Sequence, residues 1–588
     1  MCGIVGYIGK EKCVPIILSG LETLEYRGYD SAGIAYKTNR GVKIIKEEGR
    51  IENLKKNLKS NSSTLGIGHT RWATHGKPCR VNSHPHRVGN ITLVHNGIIE
   101  NYEELKNELD YEFISETDTE IVVALIDKLY KEYNDMLKVL DILKNKVIGS
   151  YALGIIVDNE DKIYTIRKDS PLIIGVSRDG NFIASDVPAI LKYTNKYYLL
   201  DNNEYACLDR DNILIYNNGK LIEKELNTFN YDIESAMKNG YDHFMLKEIF
   251  EQPIVIKNTI NSYIKDIEKH MKGIEEYDSI DIIGCGSAYH VGLIGKYLIT
   301  KYGRINVNVD IASEYRYTEH IYSKKHLIIL ISQSGETADT LAVLRNAKEM
   351  GVDTLAIVNV VGSSIAREAD RVLYIKAGVE VAVATTKAYT CQLIMLSMIA
   401  YYLGLKNNLI KDNVIEEYNN IDKYINLVLD NIKQYENIAN KIYKNDDIFY
   451  LGRKIDYATC LEASLKLKEI SYIHSEAYAA GELKHGTISL INEGTPVISV
   501  VTDESIKLKT LSNIKEVCAR GALSIIITND KNIDKDIYNE IVIVPKLSEF
   551  TESIMVVIVC QLIAYYTAKL RNCDIDKPKN LAKSVTVE

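Results

Sequence analysis

Up to about residue 225 the apolar positions fall in short runs such as GIAYK, GVKIIKE, YALGIIVD and NFIASD, separated by Gly and Asn turns. A period of two predicts half-buried strands, and a stretch near Glu120 to Tyr133 shifts to the helical period. Packed antiparallel sheets are therefore expected. From residue 225 the chain turns polar and helical (ELNTFNYDIESAMKNGYDHFMLKEIFEQP), with Pro253 read as its end and the stretch as a linker. Beyond it, strands alternate with helices, the pattern of a parallel α/β sheet.

This second half repeats itself. DIIGCGSAYH aligns with IFYLGRKIDY at an offset of 168 (Gly284 to Gly452), and LIILISQSGE with VISVVTDESI at 170 (Ser332 to Thr502). KEMGVDTLAIVN matches CARGALSIIITN (Gly351 to Gly521), and CQLI occurs at both Cys391 and Cys560. Each copy reads strand, helix, strand, helix, strand. Two tandem doubly wound α/β domains are expected, with sites at the carboxyl ends of their strands. The expected division is 1–225, a linker at 226–253, domains at 254–410 and 411–570, and a tail at 571–588.

Composition narrows the chemistry. A net charge of −8 over 588 residues offers no basic field for nucleic acid or anionic lipid, so small molecules and other subunits are the expected partners. Ten cysteines are scattered singly, without CxxC pairs or a secretory leader, which reads as a reducing, cytoplasmic setting. The apolar run Ile554 to Ala568 is shorter than the roughly 20 residues of a membrane span and contains Gln561; a buried core helix is expected. The excess of Tyr (40) over Phe (7) points to no function.

The two copies differ chemically. After its apolar strand, copy one has Ser332-Gln333-Ser334-Gly335-Glu336-Thr337, whereas copy two has Thr502-Asp503-Glu504-Ser505. Hydroxyls, an amide and freed backbone N–H groups at a helix start converge on an anion. An N-capping box is the plainer alternative for this string. Its place at a strand-to-helix turn favours phosphate, and the acidic pair in copy two disfavours it, so one phosphate site is expected.

GCGSAYH, ASEYRY, SQSGETADT, VATTKAYT, the 21-residue KLKEISYIHSEAYAAGELKHG and the terminal NLAKSVTVE resemble the tandem sugar isomerase (SIS) domains of the glutamine–fructose-6-phosphate aminotransferase family. The resemblance implies that Ser332, Gln333, Ser334 and Thr337 hold a sugar phosphate, with Ser287 and Val383 also in the sugar site. Family members often carry CGTS where this chain has Cys285-Gly286-Ser287-Ala288, so one hydroxyl is missing.

Copy two carries the candidate acid–base groups. Moving a proton between carbons 1 and 2 of a sugar requires a base. The helical period puts Lys466 and Glu469 on one face, although an anonymous KLKE reads more readily as a surface ion pair. The resemblance makes Glu469 the enolisation base and Lys466 its helper. It also makes His485 the ring opener, reaching across an obligate dimer, and Lys583 the Schiff-base amine. Most lysines near a terminus are solvated, but this tail is small and apolar and is expected to dock. PRN of the family is Pro578-Lys579-Asn580 here, losing the guanidinium fork.

Nitrogen must come from somewhere, and nothing in the chain resembles a pyridoxal-phosphate or nicotinamide site; no cofactor is expected. With Met1 trimmed, Cys2 would carry a thiol and a free α-amine of pKa near ~8, nucleophile and base in one residue. Asn96-Gly97 could form an oxyanion hole, or simply a hairpin turn. CGIVGYIG, EYRGYDSAGIA, GHTRWATHG, HPH, HNGIIEN and SETDTE, in this order, resemble the class II N-terminal-nucleophile glutamine amidotransferase domain, an αββα sandwich. The resemblance implies Cys2 as nucleophile, Asn96 and Gly97 as oxyanion hole, and Arg71 and Asp118 as the clamp on the glutamine zwitterion. Arg27, Thr74, His75 and Gly76 would line the pocket. Trp72, the only tryptophan, would gate an ammonia tunnel. The group His69, His75, His84 and His86 lacks an accompanying carboxylate or Cys pattern, and no metal is expected.

Together these readings imply glutamine-dependent conversion of fructose 6-phosphate to glucosamine 6-phosphate by a homodimer. A simple SIS isomerase or deglycase would lack Cys2, Arg71 and Asp118, and a non-catalytic sugar-phosphate sensor would need neither Glu469, His485 nor Lys583. Phosphoribosyl and asparagine-forming amidotransferases would need a pyrophosphate loop or P-loop, and none occurs.

Overall fold

The computed structural model describes residues 2–59, 61–72, 76–229, 238–410 and 413–586, without the side chain of Tyr26. The chain forms two units, Met1–Ala236 with Ser584–Glu588, and Met237–Lys583.

In the first unit the period of two is realised in the strand Gly149–Val157. Tyr151, Leu153, Ile155 and Val157 face the helices Asp118–Tyr133 and Met136–Lys146, while Ala152 and Ile156 face inward with Val94, Ile4, Ile67 and Ile183. Those inward residues come from two mainly antiparallel sheets of eight and seven strands, and the helix Cys13–Leu24 covers the outer face of the eight-stranded one. The result is the expected αββα sandwich. Strand Gly3–Gly9 lies between Leu65–Arg71 and Gly180–Ala184, antiparallel to both, so the residue before it is anchored in mid-sheet rather than frayed. The sequence pattern predicted one helix here; the structure adds Cys13–Leu24, Ile51–Asn57, Tyr102–Asn107 and Met136–Lys146.

In the second unit Pro253 ends nothing. Helix Phe244–Tyr263 runs through it, contrary to the linker boundary read from sequence. Proline lacks the N–H that Ile249 O would accept four residues on. The side-chain amide of Gln252 takes its place, donating to Ile249 O at 3.1 Å.

Each repeat is a five-stranded all-parallel sheet rather than the three strands expected, and both have the chain order second, first, third, fourth, fifth. The repeat is also local. Helices Ser287–Gly303 and Ile455–Ser471 have the same length and lie 168 residues apart, as do the strands before them. Gly286 and Lys454 enter them with φ/ψ of 55°/−122° and 51°/−122°, and both helices end at left-handed residues, Arg304 and Tyr472. Helices Lys387–Lys406 and Glu552–Leu570 are long and apolar enough to cross a membrane. Both are almost wholly buried, in one core running from Met245 and Ile256 through Leu298 and Met395 to Leu467 and Ile563. The expected core helix at 554–568 is the second of these.

Candidate functional site

Cys2 enters the central strand with its Sγ 3.2 Å from the donating Trp72 N–H and 3.5 Å from Trp72 O. Burial pushes the thiol up; the Trp72 N–H and the Arg71 charge pull the other way, and Asp118 pushes it up again. All of these groups therefore act on one sulfur. Asn96 Nδ2 donates to Cys2 O at 2.9 Å and to Ser185 Oγ at 2.8 Å, and that hydroxyl also accepts Ile4 N–H. The amide's orientation is fixed from the other side, because His69 Nε2 faces the acceptors His95 O (2.9 Å) and Asn96 Oδ1 (3.1 Å). Gly97 sits at φ +129°, and a Cβ there would lie 2.0 Å from Ser150 O, so only glycine fits.

Asp118 opens its helix and is buried, accepting Ile99 N–H at 2.9 Å. Arg71 is buried and donates to Gly76 O at 3.1 Å. Arg27 pairs with Asp186 at 2.6 Å. Trp72 stands edge-on to Tyr29, 5.8 Å between ring centroids. Thr74 and His75 lie outside the described residues. The remaining histidines form a buried stack, with His69 and His84 4.1 Å apart and His86 edge-on to His84. Burial pushes His69 down to about 3 and His84 and His86 well below their ordinary value. Among the described residues no group of His, Cys, Asp and Glu has the makings of a metal site.

In the second unit, Ser332 closes the third strand of copy one. Its Oγ bonds Thr337 Oγ1 (2.9 Å) and accepts Gly335 N–H (3.0 Å), while Ser334 Oγ accepts Glu336 N–H (3.2 Å). Gln333 O accepts Asn359 N–H at 3.1 Å. Gly335, at φ +65°, packs so tightly that a Cβ would reach 2.0 Å from Ser363 Oγ. The loop is thus a tight turn that brings three side-chain hydroxyls together. Ser287 instead turns toward copy two, donating to Glu462 Oε1 at 2.9 Å.

Glu462 is a hub between the copies. Fully buried, it also pairs with His290 at 2.9 Å and lies 3.4 Å from Lys466 Nζ. Lys466 is itself only 1% exposed and pairs with Glu469 at 2.6 Å. This is no surface ion pair. Burial opposes the ammonium, but Glu462 and Glu469 outweigh it and hold the Lys466 proton above the ordinary lysine value; Glu380 adds to the same effect.

Glu380 is the partner of Lys583, the tail lysine, whose side chain is 5% exposed. The tail is docked, as its composition implied. Burial alone would raise Glu380; the Lys583 ammonium and the Ala388 and Thr386 N–H groups overcome that and bring it to about 2. Behind it, burial and Glu380 push Glu248 up to about 8, while Glu248 Oε1 accepts the N–H groups of Val381 and Ala382. Val383 is buried, its N–H donated to Asp576 O of the tail at 3.0 Å. His485 is exposed on the short turn Glu482–His485.

Sequence reading missed Ser185, Glu248, Glu380 and Glu462. Only Glu462 left a signal, one helical turn before Lys466.

An αββα sandwich with the Cys2 thiol at its central strand, followed by two parallel α/β copies, one with a hydroxyl-lined turn, is the architecture of a glutamine amidotransferase joined to tandem SIS domains. The family description "Glutamine amidotransferase domain" matches residues 81–192, and "SIS domain" matches 273–402 and 441–570. The chain is 50% identical to the glutamine–fructose-6-phosphate aminotransferase [isomerizing] of Clostridium tetani and 48% identical to that of Clostridium acetobutylicum, each alignment covering the whole of both proteins. Among solved structures, the C-terminal domain of glucosamine-fructose-6-phosphate aminotransferase from Francisella tularensis superposes with a TM-score of 0.56 at 36% identity, covering 58% of this chain and 99% of that one. The chain belongs to the glutamine–fructose-6-phosphate aminotransferase (isomerizing) family.

Proposed function

We propose that the chain converts L-glutamine and D-fructose 6-phosphate to L-glutamate and D-glucosamine 6-phosphate, residues 1–225 acting as glutaminase and 254–588 as synthase. What carries the reading is one buried electrostatic cluster: Lys583 rests on Glu380, whose charge also acts on the Lys466–Glu469 pair, so amine and base belong to the same site.

With Met1 removed, the α-amine of Cys2 takes the thiol proton and the thiolate attacks the glutamine amide. The oxyanion is met by Asn96 and Gly97, ammonia leaves, and water hydrolyses the thioester to glutamate. Arg71 and Asp118 hold the carboxylate and amine of glutamine, with Arg27, Thr74, His75 and Gly76 around them. Ammonia passes internally, gated by Trp72.

Ser332, Gln333, Ser334 and Thr337 hold the sugar phosphate, with Ser287 and Val383 nearby, and His485 of a second subunit in a homodimer opens the ring. Lys583 condenses with the carbonyl at carbon 2, expelling water, and ammonia then displaces the lysine. Glu469, assisted by Lys466, moves a proton from carbon 1 to carbon 2 to give the amino aldose. The setting is cytoplasmic.

The test is an assay of purified protein for glucosamine 6-phosphate with both substrates and with each alone. Cys2→Ala should end glutamate release while fructose 6-phosphate still isomerises. Glutamate release at the wild-type rate from that variant would remove Cys2 from its role.

A further inference from the structure

The turn in copy two that corresponds to the hydroxyl-lined loop of copy one is already filled. Asp456, the second residue of helix Ile455–Ser471, is 3% exposed and sends its carboxylate into the turn after strand Pro496–Val501. There Oδ2 accepts Thr502 N–H at 2.9 Å and Asp503 N–H at 3.4 Å, and Oδ1 accepts the Thr502 hydroxyl. Asp503 turns its own carboxylate outward, to Lys454 Nζ at 3.0 Å and Ser505 N–H at 2.9 Å. The 168-residue register, with matching backbone angles at Gly286 and Lys454, places Ala288 at the position of Asp456. Copy one therefore has a methyl group where copy two has an anion.

We propose that Asp456 is a built-in anion: its carboxylate occupies in copy two the cradle that a sugar phosphate occupies in copy one, and so fixes the helix carrying Glu462, Lys466 and Glu469. It is a positioning residue. Backbone N–H groups converging at the end of a parallel strand need an acceptor. In copy one a ligand supplies it and can leave; in copy two the chain supplies it permanently. The groups facing the carboxylate are Asp503, held as an anion, and Glu552, which burial raises to about 8, so it is the Asp503 charge that disfavours a free anion while Asp456 is present. From Asp456 to Glu462 is six residues, about 9 Å along the helix axis, so loosening the first turn would be felt at the hub. The inference rests on the phosphate reading of copy one.

The experiment uses the full chain, with fructose 6-phosphate isomerisation as readout and glutamate release as the control for folding. Asp456→Ala should lower kcat about tenfold or more while the KM for fructose 6-phosphate stays within twofold. Formate or acetate at about 0.1 M should restore at least several-fold activity, and chloride at matched ionic strength should not. Asp456→Asn, which keeps the shape and one acceptor, should fall between the two and resist rescue. Unchanged kcat in Asp456→Ala, or a loss in a chain with normal glutaminase that formate and acetate leave unrestored, overturns the inference. If Asp456→Ala does not fold, Asp456→Asn decides, and wild-type kcat there overturns the inference as well. The reciprocal change, Ala288→Asp, places a carboxylate in copy one and should raise the KM at least tenfold. An unchanged KM there refutes the phosphate reading instead, whatever Asp456 does.

Discussion

The two SIS copies share strand order, the length of the helix after the first strand and the backbone angles that enter it, yet equivalent positions do opposite things. Copy one buries Ile294 and Leu298 in its core; 168 residues on, copy two buries Glu462 and Lys466. Isolated charges would cost several kcal/mol each in such places, and here they are met by Ser287 and His290 from copy one and by Glu469 from copy two. One frame thus supports an apolar helix beside an open turn and a charged helix beside a filled one. Chemistry resides in what each copy places at shared positions, not in the fold.

The largest expected effect that tests this contrast is Glu469→Gln, which should lower sugar isomerisation by about 10³-fold, the ordinary contribution of a positioned base. A smaller loss would shift the base elsewhere in the cluster. Next, Lys466→Leu imports the copy-one residue but takes the ammonium away from both Glu462 and Glu469, and denaturation should report a loss of about 3 kcal/mol. The double change Glu462→Ile with Lys466→Leu should recover that stability and remain inactive. If the single change costs nothing, the pairing is not what makes these charges tolerable.

Smaller still, Ser334→Ala should raise the KM for fructose 6-phosphate about tenfold, roughly the value of one hydrogen bond to a charged group. Its counterpart in copy two, Glu504→Ala, should leave the KM unchanged; equal effects would erase the distinction between the turns. The smallest effect concerns Glu552, buried in copy two, which burial raises to about 8 against an ordinary 4.5. Between those values the folded state holds the extra proton, so stability falls as pH rises from 4.5 toward 8. Glu552→Gln should therefore be more stable than the wild type at pH 8 and not at pH 4.5, as read from melting midpoints. A gain that did not depend on pH would point to packing.

Much of this was legible in residue order. The tandem repeat, the hydroxyl-rich turn at Ser332 to Thr337 and the i, i+3 spacing of Lys466 and Glu469 are local patterns, and each appears in the structure where the pattern put it. Failures came where a distant or side-chain partner overrode a local rule. Pro253 reads as a helix end until Gln252 is seen filling the missing donor. Glu380 stands in an apolar loop without a pattern around it, and only folding brings Lys583 to it across 203 residues.

The sequence by itself determined the periodicity of every sheet, the duplication of the second half and the reactive groups available, because hydrophobic spacing and residue chemistry are properties of short segments. Tertiary structure alone decided which groups meet. Cys2 became an anchored thiol because its strand is central, the Lys466–Glu469 pair became a buried one because helices cover it, and Asp456 became an internal anion because a turn 46 residues away offers it donors. Burial and long-range contact set the charge state and aim of each group, and neither is written in the local sequence.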